Sequence, residues 1–217
     1  MFKKNLLGLA LSALSLGAQA HQLWLEQDAS GPVRVYVGDA DDHPDGGEDI
    51  AKLVATTRIL LPGGKNAQGP MKVTQDHLEA AGTPAGDVRA TNDQVFKPWK
   101  TKDGQTKAAI FSARAGRSET KAGLDYEFVP VSANGKVFNV TFRGQVLADK
   151  RVTVVSPDKW TMTLKTDASG RVEVPLREKG RYILISNHDA DPVGDVEIAD
   201  QKIQKLGYVT TLSFVVR

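Results

Sequence analysis

Cysteine is absent from the 217 residues, which excludes disulfides, thiolate metal sites, thiol redox chemistry and a cysteine nucleophile together. A surplus of charge is also missing. Lysine and arginine number 28 against 26 aspartates and glutamates, and no basic stripe gathers them, so nucleic acid is not an expected partner. No serine stands in a Gly-x-Ser-x-Gly setting and no glycine-rich phosphate loop appears. Carboxylate pairs are scattered without one that stands out, and nothing assigns the chain an enzymatic activity. Long apolar runs are lacking too, except at the start.

That exception is MFKKNLLGLALSALSLGAQA. Lys3 and Lys4 precede an apolar stretch from Leu6 to Leu16, and Ala18-Gln19-Ala20 supplies the small-x-small pattern of a signal-peptidase site. The stretch is shorter than the ~20 residues needed to cross a bilayer. Residues 1–20 are therefore expected to be a removable signal peptide. The mature chain would begin at His21, reside in the periplasm and carry no transmembrane segment. With Lys3 and Lys4 gone its formal charge falls near zero. About 197 residues remain, enough for one large sandwich or two small domains.

The remainder reads as β. Val33 to Val37 alternates, with valines on one face and Arg34 and Tyr36 on the other. Gly38 ends that strand and opens an acidic, solvated loop that runs to Asp49. Lys52 to Leu61 reads as strand, Asp76 to Ala81 as a single helical turn, and Ala109 to Ala113 as strand. From Tyr126 onward short strands follow at regular spacing, among them Lys136 to Arg143, Arg151 to Val155 and a closing run from Tyr208 to Val216, separated by Gly, Pro and Asp turns. The pattern predicts an all-β protein, an immunoglobulin-like or transthyretin-like antiparallel sandwich, as two β modules over 21–120 and 124–217. Arg114 to Gly123, charged and rich in small residues, is the expected junction. No helix-containing crossover pattern supports a parallel sheet.

Four histidines carry the chemistry. His21, once freed by cleavage, offers an α-amine and an imidazole within chelating reach, both good donors near neutral pH. A further imidazole would make a three-nitrogen site suited to Cu(II) or Ni(II). His188 is the expected partner: it follows an apolar strand ending at Ser186, at a sandwich rim, where Asp189 or Asp191 can orient its ring. His43, within the acidic loop, and His77, beside Asp76 and Glu79, are the next candidate ligands. The acidic loop lacks the glycine and glutamate spacing of a calcium loop. Trp24 and Trp160 read as packing residues, and Trp99, between Lys97, Pro98 and Lys100, as exposed.

The opening HQLWLE at 21–26, DYEFVPVS at 125–132, KTDASGRVEVPL at 165–176 and GRYILISNHD at 180–189 resemble a family of periplasmic β-sandwich proteins associated with nickel and cobalt uptake. The resemblance covers the first strand and most of 125–217, and places His21, Trp24, Asp167, Gly170, Tyr182 and His188 on matching positions. It implies an accessory protein that captures or presents Ni2+ or Co2+, with an envelope metal transporter as partner; the nitrogen donors of His21 suit Cu2+ as well. Two other expectations stand beside it. One is a structural or protein-interaction module without metal; the other is a copper brace-type oxidative enzyme.

Overall fold

The computed structural model describes residues 21–28, 31–66, 69–82 and 85–217. The expected signal peptide lies outside them. Among the described residues no helix is long and apolar enough to cross a membrane, and the one α-helix is a single turn, Glu48–Ala51.

The molecule is an all-β sandwich in layers. A front sheet runs in the order Gln22–Glu26, Val33–Gly38, Leu78–Ala80, Lys72–Val73. A central sheet of nine strands runs from Thr161–Lys165 through Arg151–Val155, Gly180–Ala190 and Lys205–Val216 to Thr106–Ala115, Val88–Asn92, Arg58–Leu61 and Lys65–Asn66, with Trp99–Lys100 paired to Thr106–Ala115. A back sheet is built on Tyr126–Pro130 and Val137–Phe142. Period-2 alternation explains the layering. On Lys205–Val216, Leu206, Tyr208, Leu212 and Phe214 enter the back core with Phe128, Phe138 and Tyr182, whereas Val209 enters the front core with Leu23, Leu25, Val35 and Phe111. Each fully buried Leu or Phe contributes roughly 1.5–3 kcal/mol. A third cluster, Trp24, Ala40, Val155, Ile183 and Ile185, seals the edge of the front sheet against the central one.

Several sequence expectations change here. The central sheet is continuous because Lys205–Val216 pairs in parallel with Thr106–Ala115, a pairing that an all-antiparallel reading does not contain. The segment 76–81 is no helical turn: it delivers the strand Leu78–Ala80, paired with Val33–Val35. Lys52 to Leu61 opens with turns, and its strand is confined to Arg58–Leu61. Arg114, expected to open the junction, instead lies at the end of the strand Thr106–Ala115 and is fully buried.

Candidate metal centre

The front hairpin sets the surroundings of His21. Gln22 lies opposite Gly38 in the antiparallel register, so His21 and Asp39 face each other one step further out. Gly38 has φ +134°, and a Cβ there would stand 2.7 Å from the Asp45 nitrogen and 2.8 Å from the His43 oxygen. Only glycine lets the acidic loop fold back so closely. The return is held by a Gly38–Pro44 bridge, by Asp45 N–H donating to Val37 O at 2.7 Å and by Asp39 N–H donating to His43 O at 3.0 Å. Gln22 Oε1 accepts from Ala40 N–H at 3.1 Å.

The two ends of that loop flank the imidazole. Asp45 Oδ1 lies 3.3 Å from His21 Nε2, and Asp39 Oδ1 lies 3.9 Å from His21 Nδ1. The second distance is too long for a hydrogen bond. Asp39 Oδ1 is nevertheless shut off from solvent and has no hydrogen-bond partner among the described residues. A buried carboxylate oxygen normally finds a donor, so an orphan of this kind needs a reason. The imidazole thus has a carboxylate oxygen near each of its two nitrogens, Asp45 at Nε2 and the partnerless Asp39 oxygen at Nδ1. The Phe96 ring meets the imidazole edge-on at 5.7 Å.

The other three histidines do not join this site. His188 lies in the strand Gly180–Ala190, opposite Tyr208, and so faces the back sheet. Its ring packs on Phe142 at 4.6 Å and Tyr126 at 5.6 Å, and Lys150 Nζ donates to its Nδ1 at 2.7 Å. Burial, then the charge of Lys150, holds its pKa below the ordinary histidine value. The central sheet therefore separates His188 from His21, and the expected pairing of the two is corrected. The strand simply runs on past Ser186, so His188 is a strand residue and not a loop ligand. His77 is half-buried under Tyr36, and both its nitrogens are engaged: Nδ1 with Asp76 at 2.7 Å and Thr74 at 2.9 Å, Nε2 with Glu79 at 3.4 Å. His43 is exposed, 2.9 Å from Asp42, and its contribution is the backbone carbonyl that closes the loop. Trp24 is buried and stacks on Tyr36, and Trp99 is exposed, both as expected.

The residues missed by sequence reasoning are Asp39, Asp45 and Phe96. The two aspartates are visible in the sequence only as members of an acidic run. Among the described residues no group of three or more His, Asp, Glu or Cys side chains is arranged to hold a metal ion. A donor set at His21 thus needs the α-amine that processing would expose.

A second charged cluster sits where the N-terminal strands meet the strand Tyr126–Pro130. Arg114 donates to Asp87 Oδ2 from Nε at 3.0 Å and from a terminal nitrogen at 2.5 Å, and to Glu127 Oε1 at 3.0 Å. Arg89 Nε donates to the same Glu127 oxygen at 2.6 Å, while Gly123 and Leu124 N–H cover its other oxygen. Ser118 N–H and Oγ satisfy Asp87 Oδ1. Burial pushes the Asp87 pKa up, but the hydrogen bonds from Ser118 and Arg114 outweigh it and hold the carboxyl below its usual range. Every carboxylate oxygen of Asp87 and Glu127 has a donor.

No family model and no curated protein matches the chain. Among solved structures it is similar to SGBP-B of the Bacteroides ovatus mixed-linkage glucan utilization locus, in complex with a mixed-linkage heptasaccharide, at 14% identity and a TM-score of 0.18. The match covers 87% of this chain and 45% of that one, so the chain spans less than half of that structure. A likeness of this size carries no argument about fold or function.

Proposed function

We propose that the exported chain, cut after Ala20, is a periplasmic accessory protein that binds a transition-metal ion, nickel, cobalt or copper, at His21 and supplies it to an envelope metal transporter. The observation that carries the reading is the orphaned Asp39 Oδ1 beside His21 Nδ1. The α-amine and Nδ1 of His21 would chelate the ion, and Asp39 would add an oxygen. Two nitrogens and a carboxylate suit nickel, cobalt and copper. Asp45 would hold the ring from its far nitrogen, as second carboxylates do around ligating histidines. The ligand set thereby shifts from two histidines to one histidine with its own amine and one aspartate.

Calorimetry with Ni(II) and Cu(II) on the purified exported protein, joined to intact-mass measurement, tests this. One ion per chain is expected, on a polypeptide whose mass begins at His21. A protein retaining Ala20 ahead of His21 loses the amine donor and should bind far more weakly. Tight stoichiometric binding that survives His21→Ala sinks the reading.

A further inference from the structure

The front face of the central sheet is covered only in part. Thr211 Oγ1 donates to Leu23 O at 2.8 Å and Ser213 Oγ donates to Leu25 O, so the strand Gln22–Glu26 lies across one end of that face. Beyond His21 the described residues leave the same face open. Register fixes what is displayed there: Trp99 lies opposite Lys107, Ala109 lies beside Gly207, and Asp189 lies opposite Gly207. Together with Phe96 they bound a cleft of about 580 Å3, within the range that small-molecule sites occupy.

The character of the cleft is specific. Its floor is shallow because Ala109 and Gly207 carry almost no side chain. Its walls are Trp99, 41% exposed, and Phe96, 38% exposed. Lys107 Nζ and Asp189 Oδ1 pair at 2.7 Å. A Cβ on Gly207 would stand 3.2 Å from that carboxylate oxygen and 3.3 Å from the lysine Cε, so the glycine leaves the ion pair room to bridge above it. These two charges neutralise each other. Lys97, also on the cleft, has no partner among the described residues.

We propose that this cleft binds a small aromatic anion, its ring seated between Trp99 and Phe96 and its acid group on Lys97. Aromatic walls and an apolar floor favour a flat ring through area burial and stacking. A hydroxyl-rich ligand or an extended backbone would leave polar groups unpaired against that floor. The free ammonium selects a negative head over a neutral one. Phe96 touches both this cleft and His21, so an occupant abuts the histidine, yet the cleft does not depend on metal.

Fluorescence titration of the full exported protein with 8-anilino-1-naphthalenesulfonate, in the presence of EDTA, tests the site. A single saturable site is expected, displaced by 2-naphthoate and much less well by 2-naphthalenemethanol. Trp99→Ala and Lys97→Glu should each weaken binding roughly tenfold with an unchanged melting temperature, since both side chains are exposed. Absence of saturable binding overturns the proposal. So does binding indifferent to both substitutions, or equal displacement by the alcohol and the carboxylate.

Discussion

The cluster around Arg114 and the cluster around His21 use the same chemistry, carboxylates facing nitrogen bases, and end in opposite states. At Arg114 every carboxylate oxygen has a donor and both guanidinium groups are engaged from several sides. At His21 one carboxylate oxygen is walled off without a donor among the described residues, and the ring nitrogen nearest to it lies beyond hydrogen-bonding distance. A closed network of buried charges fixes structure, because losing any member strands the others. An open one at a rim is a place where something else can bind.

The contrast can be broken most strongly at Arg114. Arg114→Ala would leave Asp87 and Glu127 buried with fewer cations, and urea unfolding should show a loss of about 3–5 kcal/mol, with no direct effect on metal stoichiometry in whatever protein remains folded. His21→Ala should do the reverse. Metal uptake in calorimetry should vanish, while stability changes by no more than about 0.5 kcal/mol, as for other surface substitutions. Asp39→Asn should weaken metal binding roughly tenfold, and it should leave the melting temperature unchanged or slightly higher, because the amide ends the isolation of a buried negative oxygen. If Asp39→Asn lowers stability as Arg114→Ala does, the two clusters are alike after all.

The smallest expected effect concerns His188. Its folded-state pKa lies below the unfolded one, through burial and the neighbouring Lys150. The unfolded chain therefore binds more protons once the pH falls below about 6.5. The contribution of neutral His188 to stability is complete above that value and is lost on acidification. Melting temperatures followed from pH 7.5 to 5 should fall less steeply for His188→Gln than for the unaltered protein.

Much of the fold was legible where neighbours in sequence determine it. Val33 to Val37 and Lys136 to Arg143 alternate because side chains on a strand point to opposite faces, and the buried Val35, Phe138 and Val140 confirm that reading. Trp99 was legible as exposed because its neighbours Lys97, Pro98 and Lys100 leave it no apolar company. What stayed hidden was pairing at a distance. Arg114 looked like the start of a charged domain junction because nothing nearby shows that Asp87 and Glu127 converge on it. His188 looked like a loop residue because Asn187 and Asp189 are turn formers, yet the long partner Lys205–Val216 carries the strand through them to Ala190. Asp39 was one acidic residue among many until Gly38 and the hairpin register placed it across from His21.

The parallel pairing of Thr106–Ala115 with Lys205–Val216 has a kinetic consequence. The front core includes Val209, and the strand Gln22–Glu26 hangs its carbonyls on Thr211 and Ser213. The earliest described strand thus has no complete surface to dock on until the last strand of the chain is in place. Loop-closure entropy is met before these contacts form, so assembly is slow and strongly cooperative. The strand Gln22–Glu26 therefore cannot complete its contacts until almost the whole length of the chain is available. If the chain is exported as proposed, that order of events would keep it translocation-competent.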